Sequence, residues 1–228
     1  MTEFRRVNRR GSEKAALPWI WLAGAALLLS AAVGAKSQAV AAGSGGPSQG
    51  GPSRVEFAAT YSYWDPSGSI NGNSYQSISA GANFGAAYYF GRYLGAQVQV
   101  GLHPQTVNDG NQTYSFGPVL RYPMHRLTPY LHVLVGAAKL GGPDIPSITG
   151  GTGYFYNPGT WGTELSEGGG VDYAIPGLQD RFAVRLVQVD YEFNLVNFGT
   201  QTSTGGGAFP TVNAVNVGAG LVLRLGRR

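Results

Sequence analysis

From Arg54 onward, apolar residues recur at every second position and never at helical spacing. That is the period of an extended strand with two unlike faces. Eight segments carry the alternation: 54–65, 75–89, 93–103, 112–122, 129–140, 164–174, 181–193 and 213–225, with Gly, Pro, Asn and Asp between them. In 93–103, Leu94, Ala96, Val98, Val100 and Leu102 oppose Gln97, Gln99 and His103. In 75–89, Ile78, Ala80, Ala82, Phe84, Ala86 and Tyr88 oppose Ser77, Ser79, Gly81, Asn83 and Gly85. In 213–225, Val215, Val217, Ala219, Leu221, Leu223 and Leu225 oppose Asn216, Gly218, Gly220 and Arg224. A water-soluble sandwich would put Lys and Glu on its polar faces. Here those faces are mostly Gly, Ser, Asn and Gln, which suit a narrow barrel interior with the apolar side turned to lipid.

The spacing between segments follows the same plan. Connections 90–92, 123–128 and 175–180 are short, whereas 66–74, 104–111, 141–163 and 194–212 are longer. Short turns at one end and long loops at the other are expected of an outer-membrane barrel, with both mature termini on the periplasmic side. Aromatics are expected in two belts. Tyr61, Tyr63, Trp64, Tyr114, Phe116, Tyr191 and Phe193 fall near the outer strand ends. Tyr88, Tyr89, Phe90, Tyr93, Tyr122, Tyr130, Tyr173 and Phe182 fall near the inner ends. In hydrocarbon an unpaired strand edge costs several kcal/mol per group, so the sheet must close. The expected fold is all-β: a closed antiparallel up-and-down transmembrane β-barrel of eight strands, preceded by a signal peptide. Eight strands leave an interior that side chains fill, which argues against an open water channel.

Composition narrows the chemistry. The 228 residues include 36 Gly and 13 Tyr but no Cys, and only 12% are charged. Disulfide staples, thiolate metal sites, a cysteine nucleophile and a lipid-modified N-terminal cysteine are excluded. The formal charge of +4 belongs to residues 1–41, where six basic residues meet Glu3 and Glu13; from residue 42 onward ten Lys and Arg balance ten Asp and Glu. A nucleic-acid footprint needs basic residues clustered on the domain itself, so no nucleic-acid partner is expected. Residues 1–41 have the order of a signal peptide: a basic stretch to Lys14, an uncharged stretch from Ala15 to Ala35, and the small-residue site Ala39-Val40-Ala41. An uncleaved membrane anchor is the alternative. Residues 42–53 are a Gly/Ser/Pro linker and 54–228 form the barrel domain.

Three stretches carry a family resemblance. Gly168-Gly169-Gly170-Val171-Asp172-Tyr173, followed by Phe182-Ala183-Val184-Arg185-Leu186 and Asp190-Tyr191, resembles the last hairpin of the OmpA-like eight-stranded outer-membrane barrels. The run Asn216-Val217-Gly218-Ala219-Gly220-Leu221-Val222-Leu223 is similar to the closing strand of that family, with Asn216, Gly218, Leu221 and Leu223 in the places of its assembly signal. The resemblance covers about 54–225. It implies a barrel-insertion machinery as assembly partner and outer-membrane lipid and lipopolysaccharide as surroundings. The chain departs from the family at its end, Leu225-Gly226-Arg227-Arg228, where an aromatic residue is usual, and a peptidoglycan-binding domain is not part of the resemblance.

The candidate polar constellation is Glu56, Arg121, Asp172, Arg185, Asp190, Glu192 and Arg224. It is read as an interior ion-pair network of structural purpose, in preference to a catalytic carboxylate pair or proton relay. Segment 181–193 changes parity in its middle, and a β-bulge near Leu186 would turn Arg185, Gln188, Asp190 and Glu192 all inward. His103, His125 and His132 have no Ser in their sequence neighbourhood, so a Ser/His hydrolase is disfavoured, although triads form in space. Gly168–Gly170 lacks the helix and Lys of a phosphate loop and is read as making room inside a crowded barrel. No catalytic, cofactor or metal residue is assigned, and no cofactor is expected. The expected role is a structural outer-membrane protein supporting envelope integrity, with surface contacts through the long loops to a partner the sequence does not name. Three alternatives are a narrow porin-like pore, a lipid-modifying hydrolase and a soluble periplasmic barrel binding an apolar ligand.

Overall fold

The computed structural model describes residues 53–70, 73–104, 110–142, 145–146, 154–155, 159–178, 181–198 and 211–226. The expected signal peptide and, apart from Ser53, the linker lie outside the described residues. Eight long strands follow in order: β1 Val55–Ser67, β2 Ile78–Tyr89, β3 Leu94–His103, β4 Asn111–Arg121, β5 Leu127–Leu140, β6 Thr160–Ala174, β7 Phe182–Val196 and β8 Thr211–Leu225. Each pairs antiparallel with its neighbours in sequence, and β1 closes the sheet on β8 from Val55↔Leu225 to Ser67↔Asn213. This is an eight-stranded up-and-down barrel. Two-residue ladders, 69–70 with 73–74 and 145–146 with 154–155, decorate the long connections.

The end carrying Val55 and Leu225, called the near end below, has tight turns. Phe90 N donates to Leu94 O (3.0 Å), Met124 N to Leu127 O (2.9 Å) and Ile175 N to Phe182 O (3.0 Å). Gly177 takes φ 85° in the third turn, a conformation that a side chain would strain. The far end carries the long connections, and there β6, β7 and β8 extend beyond the expected limits to Thr160, Val196 and Thr211.

Alternation decides what each wall faces. Thirty large apolar side chains are exposed among the described residues, including Phe57, Phe84, Val98, Phe116, Leu131, Val135, Leu165, Val189, Val217 and Leu221. Their strand neighbours Glu56, Thr60, Ser62, Asn83, Gln97, Gln99, Ser115, His132, Ser166, Asp190 and Asn216 are buried in the lumen. This is the reverse of a water-soluble protein. Full burial of one such apolar side chain is worth about 1.5–3 kcal/mol, and soluble monomers rarely expose a contiguous apolar patch beyond a few hundred Å².

Aromatic pairs sit at both rims. Tyr114 and Trp161 lie 5.8 Å apart toward the far end, while Tyr88–Phe90 at 5.5 Å and stacked Tyr93–Tyr122 at 5.8 Å lie at the near end. Three residues expected in the belts are instead in the lumen: Trp64, Tyr89 and Tyr130 are 1%, 3% and 5% exposed. Their partners are polar atoms and guanidinium groups inside, described below.

Ile78 is a second correction. It was expected on the lipid face and is buried, packed with Trp64, Leu140, Val196, Val212 and Ala214. The β1/β2 register shifts between Ser62 and Trp64, and Ser79 and Ala80 both face outward, so Ile78 is rotated in. Strand β7 has its irregularity at Leu186. Arg185 pairs with Gly220 and Gln188 with Gly218, and both Leu186 and Val187 are exposed. One extra residue thus keeps Arg185, Gln188, Asp190 and Glu192 inward, all of them buried.

Candidate functional site

The sequence-predicted site residues all lie in the lumen, which is built in three polar layers below an apolar cap. The near-end layer is ionic. Arg121 on β4 reaches Glu56 on β1 (Nη1–Oε1 2.5 Å), and its guanidinium stacks 3.5 Å from the Tyr89 ring centroid. Ser53 completes this corner: its hydroxyl donates to Glu56 Oε1 (2.8 Å) while Arg121 Nη1 donates to Ser53 Oγ (3.0 Å). Arg185 on β7 binds Asp172 on β6 through two nitrogens, at 2.8 and 3.3 Å. It also donates to Gln188 Oε1 (2.9 Å) and lies 4.2 Å from the Tyr130 ring centroid. Arg224 on β8 stands between the two carboxylates, 3.3 Å from Glu56 and 3.7 Å from Asp172. Its Nε and Nη2 lack hydrogen-bond geometry, so it joins the two pairs by charge attraction alone.

Asp190 and Glu192 part company from this network. Asp190 receives His132 Nε2 at 3.0 Å and the amides of Gln188 (2.5 Å) and Gln99 (3.4 Å). His132 Nδ1 lies 3.4 Å from Gln97 Oε1, and Gln97 donates to Gln99 (3.1 Å). Glu192 accepts from Trp64 Nε1 (2.8 Å), Asn216 Nδ2 (2.9 Å) and Asn111 Nδ2 (3.4 Å). Among the described residues neither carboxylate has an Arg or Lys ion pair. Five of the seven expected residues therefore form the ionic layer, and two belong to networks of His, Trp and amide donors farther along. Both kinds of partner satisfy a buried charge, because hydrogen bonds to an ionised group are the strong ones.

Two features of the lumen escape a reading of sequence neighbourhoods. Ser62 Oγ lies 2.8 Å from His103 Nε2, 41 positions away in the chain. The His103 ring fits because the facing position is Gly81: a Cβ there would meet the ring carbons, Cγ at 2.9 Å. Among the described residues no acid stands on the other side of this Ser/His pair, His103 Nδ1 being without a partner, and both residues are buried below the far-end cap. Glu164, Ser166 and Asn194 form a further buried polar patch on β6 and β7. Trp64 shares the parity of Glu56, Thr60 and Ser62, so simple counting along β1 does locate it inside.

Gly168 and Gly170 do make room. A Cβ on Gly168 would meet Asp190 Cα at 2.7 Å, and one on Gly170 would meet Tyr130 OH at 2.8 Å. Above the polar layers, Trp64, Ile78, Leu140, Val196, Val212 and Ala214 form the apolar cap, with Tyr75 and Phe198 packed on it. The closing-strand residues divide by face: Asn216 and Gly218 point inward, whereas Leu221 is exposed and Leu223 half-buried on the outside. Among the described residues no three His, Asp or Glu side chains stand together in a metal-holding group.

No family model matches the chain, and no curated protein matches it. Among solved structures it is similar to the Yersinia pestis attachment invasion locus protein Ail, at 17% identity and TM-score 0.44, over 75% of this chain and 99% of that one. It is similar to Neisserial surface protein A at 15% identity and TM-score 0.44, over 77% and 99%. The N-terminal β-barrel domain of Pseudomonas aeruginosa OprF follows at 10% identity and TM-score 0.40, over 75% and 98%. These neighbours are eight-stranded outer-membrane barrels. The assignment of this chain to the eight-stranded closed barrel rests on its own continuous ladders, from β1 round to β8.

Proposed function

We propose that the protein is a bacterial outer-membrane barrel whose task is structural: a rigid, filled cylinder that contributes to envelope integrity and carries long loops into the surroundings. The observation that carries this reading is the inverted polarity of a closed sheet, with large apolar side chains outside and buried charges inside. Water would penalise that exterior, and lipid would not. A pore is disfavoured by the contents of the lumen. The ionic layer with Tyr89 and Tyr130 fills one end, and the apolar cap fills the other. A lipid-modifying hydrolase finds little support, because the Ser62–His103 pair faces the lumen below that cap. A soluble barrel binding an apolar ligand would need the opposite distribution of faces. Outer-membrane lipid and lipopolysaccharide are the proposed surroundings. The barrel-insertion machinery is the proposed assembly partner, reading the β8 strand that seals the β1 seam.

Fractionation of expressing cells, with gel mobility before and after boiling, tests the reading. The protein is expected with the outer membrane and shifts on boiling; recovery in the periplasmic fraction without a shift refutes it. Planar-bilayer recordings are expected to show only small, rare openings, and a large steady conductance would establish the pore instead.

A further inference from the structure

One part of the lumen is polar beyond what its own hydrogen bonds absorb. A row of inward positions runs across five strands: Ser115 pairs with Gly136, Gly136 with Glu164, Glu164 with Asn194, and Asn194 with Val212. One step deeper, Ser166 lies opposite Glu192. Glu164, Ser166 and Asn194 are at most 1% exposed, and Ser115 is 5% exposed. Glu164 Oε2, Ser166 Oγ, Ser115 Oγ and both amide atoms of Asn194 have no hydrogen-bond partner.

Such a concentration is unusual, because buried polar atoms nearly always find partners and each exception calls for a water or an ion. Directly opposed side chains on neighbouring strands have Cβ atoms about 4.5–5.5 Å apart, so Glu164 and Asn194 converge. Gly136 places no side chain between Glu164 and Ser115, and it draws β4 and β5 together: a Cβ there would meet the Ser115 Cα at 2.6 Å. The unmet groups are mostly oxygens, and the acidic side chain Glu164 has no cationic partner among the described residues. Glu192 stands beside Ser166 with its carboxylate already held by three neutral donors, Trp64, Asn216 and Asn111. A buried carboxylate with no cationic partner is costly.

We propose that this patch is a binding site for a hard divalent cation of the calcium class, ligated by Glu164 with the oxygens of Asn194 and Ser166, and with Glu192 as the second compensating charge. Calcium takes six to eight oxygens in flexible geometry, and carbonyl, carboxylate and water oxygens all serve. The absence of nitrogen and sulfur ligands at this patch disfavours zinc or copper. The site lies against the apolar cap, beside Val212, so the ion would be enclosed as the barrel closes and would fasten β6 and β7 from within.

The test refolds the full chain in detergent with calcium chloride or with a chelator, isolates the boil-sensitive folded band, and measures retained calcium by atomic emission after gel filtration. Terbium refolded in place of calcium gives a second readout, luminescence sensitised through Trp64. The expected result is a single retained ion per folded chain, with terbium emission competed away by calcium. Glu164→Gln keeps the shape and removes the charge; it is expected to weaken retention at least about tenfold, while Asp65→Asn at the exposed outer end of β1 leaves it unchanged. Where Glu164→Gln lowers the yield of folded barrel, Asn194→Ala measured in the folded band serves the same purpose and is expected to weaken retention. Folded wild type retaining no calcium, and giving no terbium emission, overturns the proposal and leaves water as the partner of these groups. Retention that survives both substitutions overturns it equally.

Discussion

Replacing Arg185 by Ala removes more than one contact at once. The guanidinium holds Asp172 through nitrogens at 2.8 and 3.3 Å, satisfies Gln188 Oε1 at 2.9 Å and covers the Tyr130 ring. After truncation, Asp172 keeps only Arg224 at 3.7 Å, without hydrogen-bond geometry. A buried carboxylate stripped of its partner costs about 3–5 kcal/mol. Both side chains are nearly inaccessible, 8% and 2% exposed, so solvent screening relieves little of it. The assay is equilibrium unfolding in urea with the barrel in lipid vesicles, read by the boil-sensitive gel band. Arg185→Ala is expected to lose about 3–5 kcal/mol. The paired replacement Arg185→Met with Asp172→Leu removes both charges together and is expected to recover most of the loss, because apolar groups of similar volume often substitute for a buried pair without cost. A single variant within about 0.5 kcal/mol of wild type, the ordinary range for a surface site, would refute an inward, desolvated pair. A double variant no better than the single one would show that packing by Arg185, and not its charge, is what matters.

Other perturbations test the geometry elsewhere. Deleting Leu186 removes the extra residue of β7 and leaves Arg185 and Gln188 facing inward in an unbroken ladder, so the folded band should persist; deleting Val98, in the regular ladder of β3, turns half of that strand inside out and should abolish it. Phe116→Lys places a charge at a 63% exposed position in the middle of β4 and is expected to cost about 2–4 kcal/mol in vesicles, measured by the same urea titration; a neutral effect would mean that the surface does not face hydrocarbon. Gly81→Ala drives a methyl into the His103 ring and should destabilise by about 1–3 kcal/mol, relieved when His103 is also made Ala. Trp64→Phe withdraws the 2.8 Å donor from Glu192 and should cost about 1–3 kcal/mol, with a loss of the buried tryptophan component in the emission spectrum as an independent check.

The strands were legible because a one-residue slip exchanges lipid for lumen along a whole strand, so each wall had to write its alternation openly. Strand ends were less legible. β6 begins at Thr160, well before the expected Glu164, because ladder pairing with Leu140 and Val196 continues outward past the point where Leu165 stops marking the lipid face. Ile78 was misplaced because its bulge falls on Ser79 and Ala80, two small residues that give no preference for either face. Trp64, Tyr89 and Tyr130 were assigned to belts by residue type, while strand parity already placed Trp64 with Ser62 and Tyr89 with Ala87.

Partnership inside the barrel is a different kind of information from direction. Parity says that Arg121 and Glu192 point inward, but Arg121 meets Glu56, 65 positions away, and Glu192 meets Trp64, 128 positions away. Those meetings depend on the stagger accumulated from strand to strand around the closed sheet, which no segment contains by itself. The bulge at Leu186 shows how much hangs on a single residue of stagger. Without the two-for-one exchange opposite Ala219, an uninterrupted β7 of the same sequence could not keep both Arg185 and Asp190 in the lumen. One of the two would face lipid, and either Asp172 or His132 would lose its partner. The switch from Leu186 to Val187 as consecutive outward residues is therefore what lets one strand serve both the ionic layer and the hydrogen-bonded network above it.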